Sequence, residues 1–237
     1  MNNTNQQIYT IYQNVQSFYR YRKLVSLDDE MTQDQFIKTI QKDKYVLLSS
    51  VGMDQVQNGE EQLDQSKLKT IRTLINSFNE KSKESKVTIT NILLIYPGTD
   101  CESKRANMMK LINHIRYPRS NVIIITPTKV SSGVAKGLQM LTSKKEHQHH
   151  DFKVFTYTLL NSILPEHELV PRYEILSEAQ VDKLKEWFLD PESFPKVFEN
   201  DPQMVWIGAK VGQVIKYIYL SEVTIEAIGY CKVISSM

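Results

Sequence analysis

The sequence predicts two domains, an α/β domain over residues 1–165 and a compact α+β domain over residues 166–237. Three observations carry this. The runs "NILLIY" (91–96) and "NVIIIT" (121–126) are apolar at nearly every position, as strands buried on both faces are. Helical periodicities lie before, between and after them, so a small sheet flanked by helices is the arrangement that buries both. From about residue 160 the character changes to prolines, one capped helix and two strand-like runs, which places a boundary near Leu160 to Glu166.

Taken in order, Ile8, Ile11, Tyr12, Val15, Phe18 and Tyr19 recur at three- and four-residue spacing and predict a helix with one apolar face. Thr32 and Gln35 form a capping-box pattern, and Phe36, Ile37 and Ile40 continue it into a second helix ending near Lys44. "YVLLSSV" (45–51) predicts a strand. The polar stretch Met53 to Ser66, with Asn58-Gly59, predicts a loop or hairpin turn. A helix from Leu68 to Asn79, a connector at Glu80 to Lys86 and a strand through "TNILLIY" follow, and Pro97-Gly98 stops that strand. Ser103 to Ile115 predicts a helix, 121–126 a strand, Ser132 to Leu141 a helix, and "KVFTYTLL" (153–160) a further strand. In the second domain "YEIL" (173–176) is short and extended. Ser177 with Gln180 caps a helix through Trp187, and "GQVIKYIYL" (212–220) and "IGYCKVIS" (228–235) predict two strands.

Composition narrows the function classes. The chain has 237 residues, 41% apolar and 24% charged, which is ordinary for a globular protein large enough to bury its own cores. A formal charge of +2 supplies no global field, so any contact with nucleic acid must be local. Two distant cysteines, Cys101 and Cys231, and a beginning without a signal-peptide pattern predict an intracellular, reducing compartment. Apolar runs of about six residues fall far short of the roughly 20 that a membrane helix needs, so no membrane is expected.

Candidate chemistry is sparse. His147, His149 and His150 lie in the polar segment 143–151 and read as a solvated loop, because a structural zinc site needs four ligands on a framed spacing. Asp100, Glu102 and Lys104 have the carboxylate and lysine spacing of Mg²⁺-dependent nucleases, in which the acids hold the metal. An active nuclease is therefore the alternative function, although Glu84-Ser85-Lys86 repeats the pattern and helix-start charges explain it as well. No glycine-rich phosphate loop, nucleophile elbow or metalloprotease helix occurs. Basic residues gather at Arg105, Lys110, Arg116, Arg119, Lys129, Lys136, Lys144 and Lys145. Such a patch suits sequence-independent phosphate contact, and a solvated face is the competing reading.

An ordered series of words occupies the second domain: "HELVP" (167–171), "FPKVFENDP" (194–202), "WIGAKVGQVIKYIYLSE" (206–222) and "YCKV" (230–233), with the capped helix between the first two. Together they resemble the fifth shared subunit of the eukaryotic nuclear RNA polymerases, whose archaeal counterpart consists of this domain alone. The resemblance continues more weakly upstream, through the first two helices and "ITPTKVSSGVAKGL" (125–138), which look like the family's amino-terminal jaw domain. It implies a jaw over 1–165, nuclease-like in fold and inactive, and an assembly domain over 166–237.

The family implies a non-catalytic subunit of a multisubunit DNA-directed RNA polymerase, without cofactor, metal or self-association. Its assembly domain docks on the largest subunit beside the other polymerase subunits. The jaw projects toward downstream double-stranded DNA and contacts phosphates, and nucleotidyl transfer belongs to the two large subunits. Thr126, Pro127, Lys129, Ser131, Ser132 and Lys136 are expected to face DNA or a partner, with Arg116 and Arg119 beside them. An ordinary strand-to-helix turn is the competing reading there. His167, Glu168, Leu169, Val170 and Pro171 are expected to join the domains, Pro165 and Pro171 holding the crossing extended. Gly208, Gly212, Lys216, Ser221 and Glu222 are expected on the docking side, unless the glycines only serve turns. Val211, Tyr219 and Cys231 stand where the family has arginines, which removes three guanidinium forks. Composition and these departures point to a divergent member encoded by a large DNA virus. Its place would be with the transcription machinery, in virion and host cytoplasm for a virus or in the nucleus for a cell.

Overall fold

The computed structural model describes residues 3–26, 28–43, 45–52, 90–95, 121–134, 136–137, 151–187, 189–221 and 225–235. The helices predicted over 68–79 and 103–115 and the loops at 53–66 and 143–150 lie outside them. The chain divides into two compact units, Met1–Tyr19 with Lys23–Asn161, and Arg20–Arg22 with Ser162–Met237.

In the first unit, helix α1 (Asn3–Tyr21) buries the face its periodicity marks out, with Ile8, Ile11, Val15 and Phe18 at most 1% exposed. Helix α2 (Gln33–Asp43) begins at the predicted capping box: the Thr32 N–H donates to Gln35 Oε1 (2.9 Å) and the Gln35 N–H to Thr32 Oγ1 (3.4 Å). Its Phe36 is fully buried, with its ring 4.8 Å from that of Tyr12.

Five strands follow, β1 (Leu24–Ser26), β2 (Val46–Gly52), β3 (Thr90–Ile95), β4 (Asn121–Thr126) and β5 (Asp151–Thr156), lying side by side in that order. The first two pairings are antiparallel, whereas β3–β4 and β4–β5 are parallel. Leu93, Leu94 and Ile95 of β3 and Val122 to Thr126 of β4 are all buried, the two-sided burial that their unbroken apolar runs require.

The strand expected over 153–160 is corrected. Pairing begins at Asp151, two residues earlier, and stops at Thr156, opposite the last residue of β4. Beyond that point no neighbouring strand pairs with it among the described residues, and Tyr157–Leu159 closes into a 3₁₀ turn. Tyr157, Leu159 and Leu160 are buried, so their apolar character reflects packing of a turn rather than a longer strand. Strand β1 has three residues, too few for its period to show in the sequence.

The second unit contains β6 (Arg172–Ile175), α3 (Glu178–Glu186), β7 (Lys196–Phe198), α4 (Pro202–Ile207), β8 (Val214–Ser221) and β9 (Ile225–Ile234). The strand order is β6-β8-β9-β7; β6–β8 and β8–β9 are antiparallel and β7–β9 parallel. Strand β9 starts three residues before the predicted 228, so β8 and β9 form a long hairpin paired from Val214↔Lys232 to Ser221↔Ile225.

One face of this sheet carries Ile175, Ile215, Tyr217, Cys231 and Val233, which pack with Met204, Ile207 and Ala209. Helix α4 starts with Asp201, whose carboxylate accepts from the Gln203 N–H (2.9 Å), and with Pro202 in the first turn. It ends at Gly208 in a Schellman closure, with the Ala209 N–H donating to Met204 O and the Gly208 N–H to Val205 O.

At α3 the Ser177 and Gln180 capping box forms in full. Ser177→Ala is expected to lower stability by about 1 kcal/mol, because two backbone N–H groups lose their partner arrangement. Urea denaturation of the full chain reads this directly, and an unchanged midpoint would show that the cap contributes nothing.

Candidate functional site

Two surfaces contain the predicted interaction residues, one in each unit. In the first, the segment from Thr126 to Lys136 leaves the carboxyl end of β4. Thr126 is fully buried, and its hydroxyl lies 2.8 Å from Thr128 O and 3.2 Å from Phe155 O. That side chain ties the strand end to the turn and offers nothing outward, which corrects its expected role. Lys129, Ser131, Ser132 and Lys136 are exposed and Pro127 is half-buried, while Val134 points inward at 3% exposure. The segment therefore has one anchored side and one polar side with two lysines. Arg116 and Arg119 lie outside the described residues, as do Asp100, Glu102, Lys104 and His147, His149 and His150. Among the described residues no group of three His, Cys, Asp or Glu side chains could hold a metal ion, and no helix is long and apolar enough to cross a membrane.

In the second unit the extended crossing expected between Pro165 and Pro171 is corrected as well. Pro165 sits in a 3₁₀ turn, Leu164–Glu166, as its second residue, where its fixed φ suits a first turn and its missing N–H costs no hydrogen bond. Val170 N–H then donates to His167 O (2.9 Å) and Leu169 N–H to His167 Nδ1 (3.2 Å), so the word is a compact turn. Only Pro171 leads into extended chain, at β6. His167, Glu168 and Leu169 are exposed, Leu169 at 83%.

The glycines at 208 and 212 answer first to conformation. Their φ values are +72° and +90°, a region that side chains with a Cβ rarely adopt. Gly212 N–H also donates to Val233 O (2.9 Å), which seats the turn before β8 against β9. Lys216 lies half-buried on the outer sheet face, between Glu174 of β6 and Tyr230 of β9 in the register. Ser221 ends β8, and Glu222 lies outside the described residues.

The outer face of this sheet carries a small exposed apolar group among charged residues. Ile228 is 56% exposed beside its cross-strand partner Ile218, and Leu220 is 74% exposed. Around them the charges pair with one another: Arg172 contacts Glu226 at 2.6 Å, and Lys232 donates to Glu192. That ammonium holds the Glu192 carboxyl below the usual carboxylate range. An exposed apolar group with paired charges beside it suits protein contact better than a catalytic cleft.

The three positions without arginine differ in kind. Val211 and Tyr219 are about half exposed, so a guanidinium is missing from the surface there. Cys231 belongs to the core, where burial pushes its thiol up, and its side chain fills space.

Residues 163–233, nearly the whole second unit, match the family described as RNA polymerase Rpb5, C-terminal domain. DNA-directed RNA polymerase subunit Rpo5 of Methanosarcina mazei is 40% identical over 72 residues, 30% of this chain and 92% of that protein. The chain belongs to the Rpb5 family. Rpo5 of Sulfurisphaera tokodaii is 41% identical over 71 residues, covering 30% of this chain and 84% of that subunit. Similarity reaches upstream in the Arabidopsis thaliana DNA-directed RNA polymerases IV and V subunit 5B, 22% identical over 143 residues, 59% of this chain and 62% of that protein. The Rpb5 match falls on the unit whose surface looks built for protein contact, and the nuclease alternative on Asp100, Glu102 and Lys104 gains no support from these relatives.

Sequence reasoning missed two features of the Rpb5 unit. One is Gly229, which lies against the Tyr217 ring, and the other is the edge of β9 that no strand covers among the described residues. Both depend on which strand lies beside which, and neither has a local signal.

Proposed function

We propose that this Rpb5-family chain is a non-catalytic subunit of a multisubunit DNA-directed RNA polymerase, assembled through its C-terminal unit. The observation that carries this is the match of residues 163–233, with 92% of an archaeal Rpo5 spanned at 40% identity. The partner of the C-terminal unit is the largest polymerase subunit, and the apolar outer face around Ile218, Leu220 and Ile228 supports docking of this kind. The N-terminal unit acts as a jaw, with a nuclease-like but inactive fold, directed toward downstream DNA. Catalysis belongs to the large subunits, and the chain works where the transcription machinery works. Affinity purification of the tagged chain from its source is expected to bring both large subunits at stoichiometric yield; recovery of the chain alone would overturn the reading.

Lys129 and Lys136, exposed on the anchored turn, supply phosphate contacts. Each such contact releases counterions and adds about 0.9 to the log–log salt slope of binding. Lys129→Glu with Lys136→Glu is therefore expected to reduce the slope of DNA retention by the assembled polymerase by about 2. Incorporation of the subunit should not change. A slope equal to that of the unaltered polymerase would remove these lysines from the DNA contact.

A further inference from the structure

We propose that the open edge of β9 accepts an extended strand from another polymerase subunit, which adds to the sheet by main-chain pairing. The proposal rests on the assembly reading above and specifies how that contact is made. Strand β9 runs from Ile225 to Ile234, and β8 pairs with it from Ile225 to Lys232. On its other side β7 covers only Lys232 to Ile234. Among the described residues, no strand pairs with 225–231 on that side.

The hydrogen-bonding parity shows which groups are left over. Val233 N–H donates to Gln213 O and Val233 O accepts from the Gly212 N–H, both at 2.9 Å, so Val233 faces the β8 side. Lys232 N–H donates to Pro195 O and Ile234 O accepts from the Glu199 N–H, so even-numbered residues face the β7 side. Because the direction alternates along a strand, Glu226, Ile228 and Tyr230 turn their N–H and C=O groups toward the open edge. Three donors and three acceptors spread over roughly 13 Å form a template for about five extended residues.

At Tyr230 the segment before β7 comes close, with the Phe194 ring stacked 5.5 Å from that of the tyrosine, but from Glu226 to Gly229 the edge lacks the usual protections. Residues 225–231, "IEAIGYC", contain no proline and no lysine, and the one acid, Glu226, is already engaged by Arg172 at 2.6 Å. Exposed strands that remain unpartnered are normally blunted by such residues. Beside the edge, Ile228 is 56% exposed on one face, while on the other Ala227 is small and the space over Gly229 is filled by the Tyr217 ring of the chain itself. With its local charges paired, this edge fits an uncharged, β-branched or aromatic strand. It is also continuous with the apolar outer face formed by Ile218 and Leu220. The outermost strands β6 and β7, with four and three residues, offer shorter templates.

Hydrogen exchange of the full-length chain, alone and within the purified polymerase, tests this. The amides of Glu226, Ile228 and Tyr230 are expected to exchange at least about tenfold more slowly in the assembly. In parallel, Ile228→Pro removes the N–H that faces the open edge and leaves the β8 pairing in place, as edge prolines do. It is expected to lower incorporation about tenfold, with Ile228→Val near the parent value. The thermal midpoint of each free variant separates loss of binding from loss of folding, and the exchange measurement decides should the proline variant not fold. A chain that assembles while these three amides exchange as in the free protein overturns strand addition but leaves the proposed function standing. A chain that recovers no polymerase subunit overturns the proposed function first. Slowed exchange that grows with the concentration of the chain alone identifies a second copy as the occupant and overturns the proposed partner.

Discussion

Trp206→Ala is expected to reduce the stability of the full chain by about 3–5 kcal/mol, the range for deleting a large aromatic side chain from a packed interior. Trp206 is fully buried, and the helix that carries it, α4, has only six residues. A helix so short has no stability of its own in water, so its place is held by its caps and by what it buries. Truncation leaves a large cavity beside Tyr21, whose ring lies 6.0 Å from that of Trp206, and leaves α4 held by Met204 and Ile207 against the sheet. A loss of this size is a large part of the stability of an ordinary domain. The second unit should then unfold at markedly lower urea, and incorporation into the polymerase should fall with it. The two tryptophans separate the signals, because Trp187 is 68% exposed. A Trp187→Phe background makes Trp206 the sole buried reporter for the parent protein. A loss below about 1 kcal/mol would show that the surrounding core closes over the site and that Trp206 is not its anchor.

Gly229→Ala is expected to cost about 1–3 kcal/mol for a different reason, overpacking. Gly229 pairs with Tyr217 across the hairpin, and the ring lies over the glycine. A Cβ added there would sit 2.2 Å from Tyr217 Cζ, 2.5 Å from Cε2 and 2.5 Å from the hydroxyl oxygen. The ring cannot easily yield, because Tyr173 and Tyr219 flank it, each with its ring centroid 6.1 Å away. The cause is space rather than backbone freedom. In the double variant with Tyr217→Leu the clashing atoms are gone, so the cost of the alanine should largely vanish. Denaturation of the four proteins of this cycle measures the coupling directly. Equal costs of the alanine in both backgrounds would show that the ring is not what excludes a side chain at position 229.

These two residues illustrate how unevenly the molecule could be read from its chain. The buried face of α1 was visible in Ile8, Ile11, Val15 and Phe18, because helical periodicity is written within one segment. Both capping boxes were visible for the same reason, with donor and acceptor three residues apart. The turn from Pro127 to Lys136 was recognisable as polar and basic, but the burial of Thr126 was not, because its hydroxyl is taken up by Phe155 on a neighbouring strand as well as by Thr128. The second prolyl position of the "HELVP" region behaved as its flanking extended chain suggested, while Pro165 closed a turn that local preference allows equally well.

By itself the sequence determined the buried strands 91–95 and 121–126, the capped helices and the order of words in 167–233 that marks the Rpb5 family. Each of these is chemistry between near neighbours along the chain or a contiguous string of residue types. The tertiary structure alone decided where β5 stops, that Cys231 fills a core, that Gly229 must lack a side chain, and that among the described residues no strand covers β9 at 225–231. Those depend on which strand lies beside which, and hydrogen-bond pairing and close packing join residues that the sequence keeps far apart.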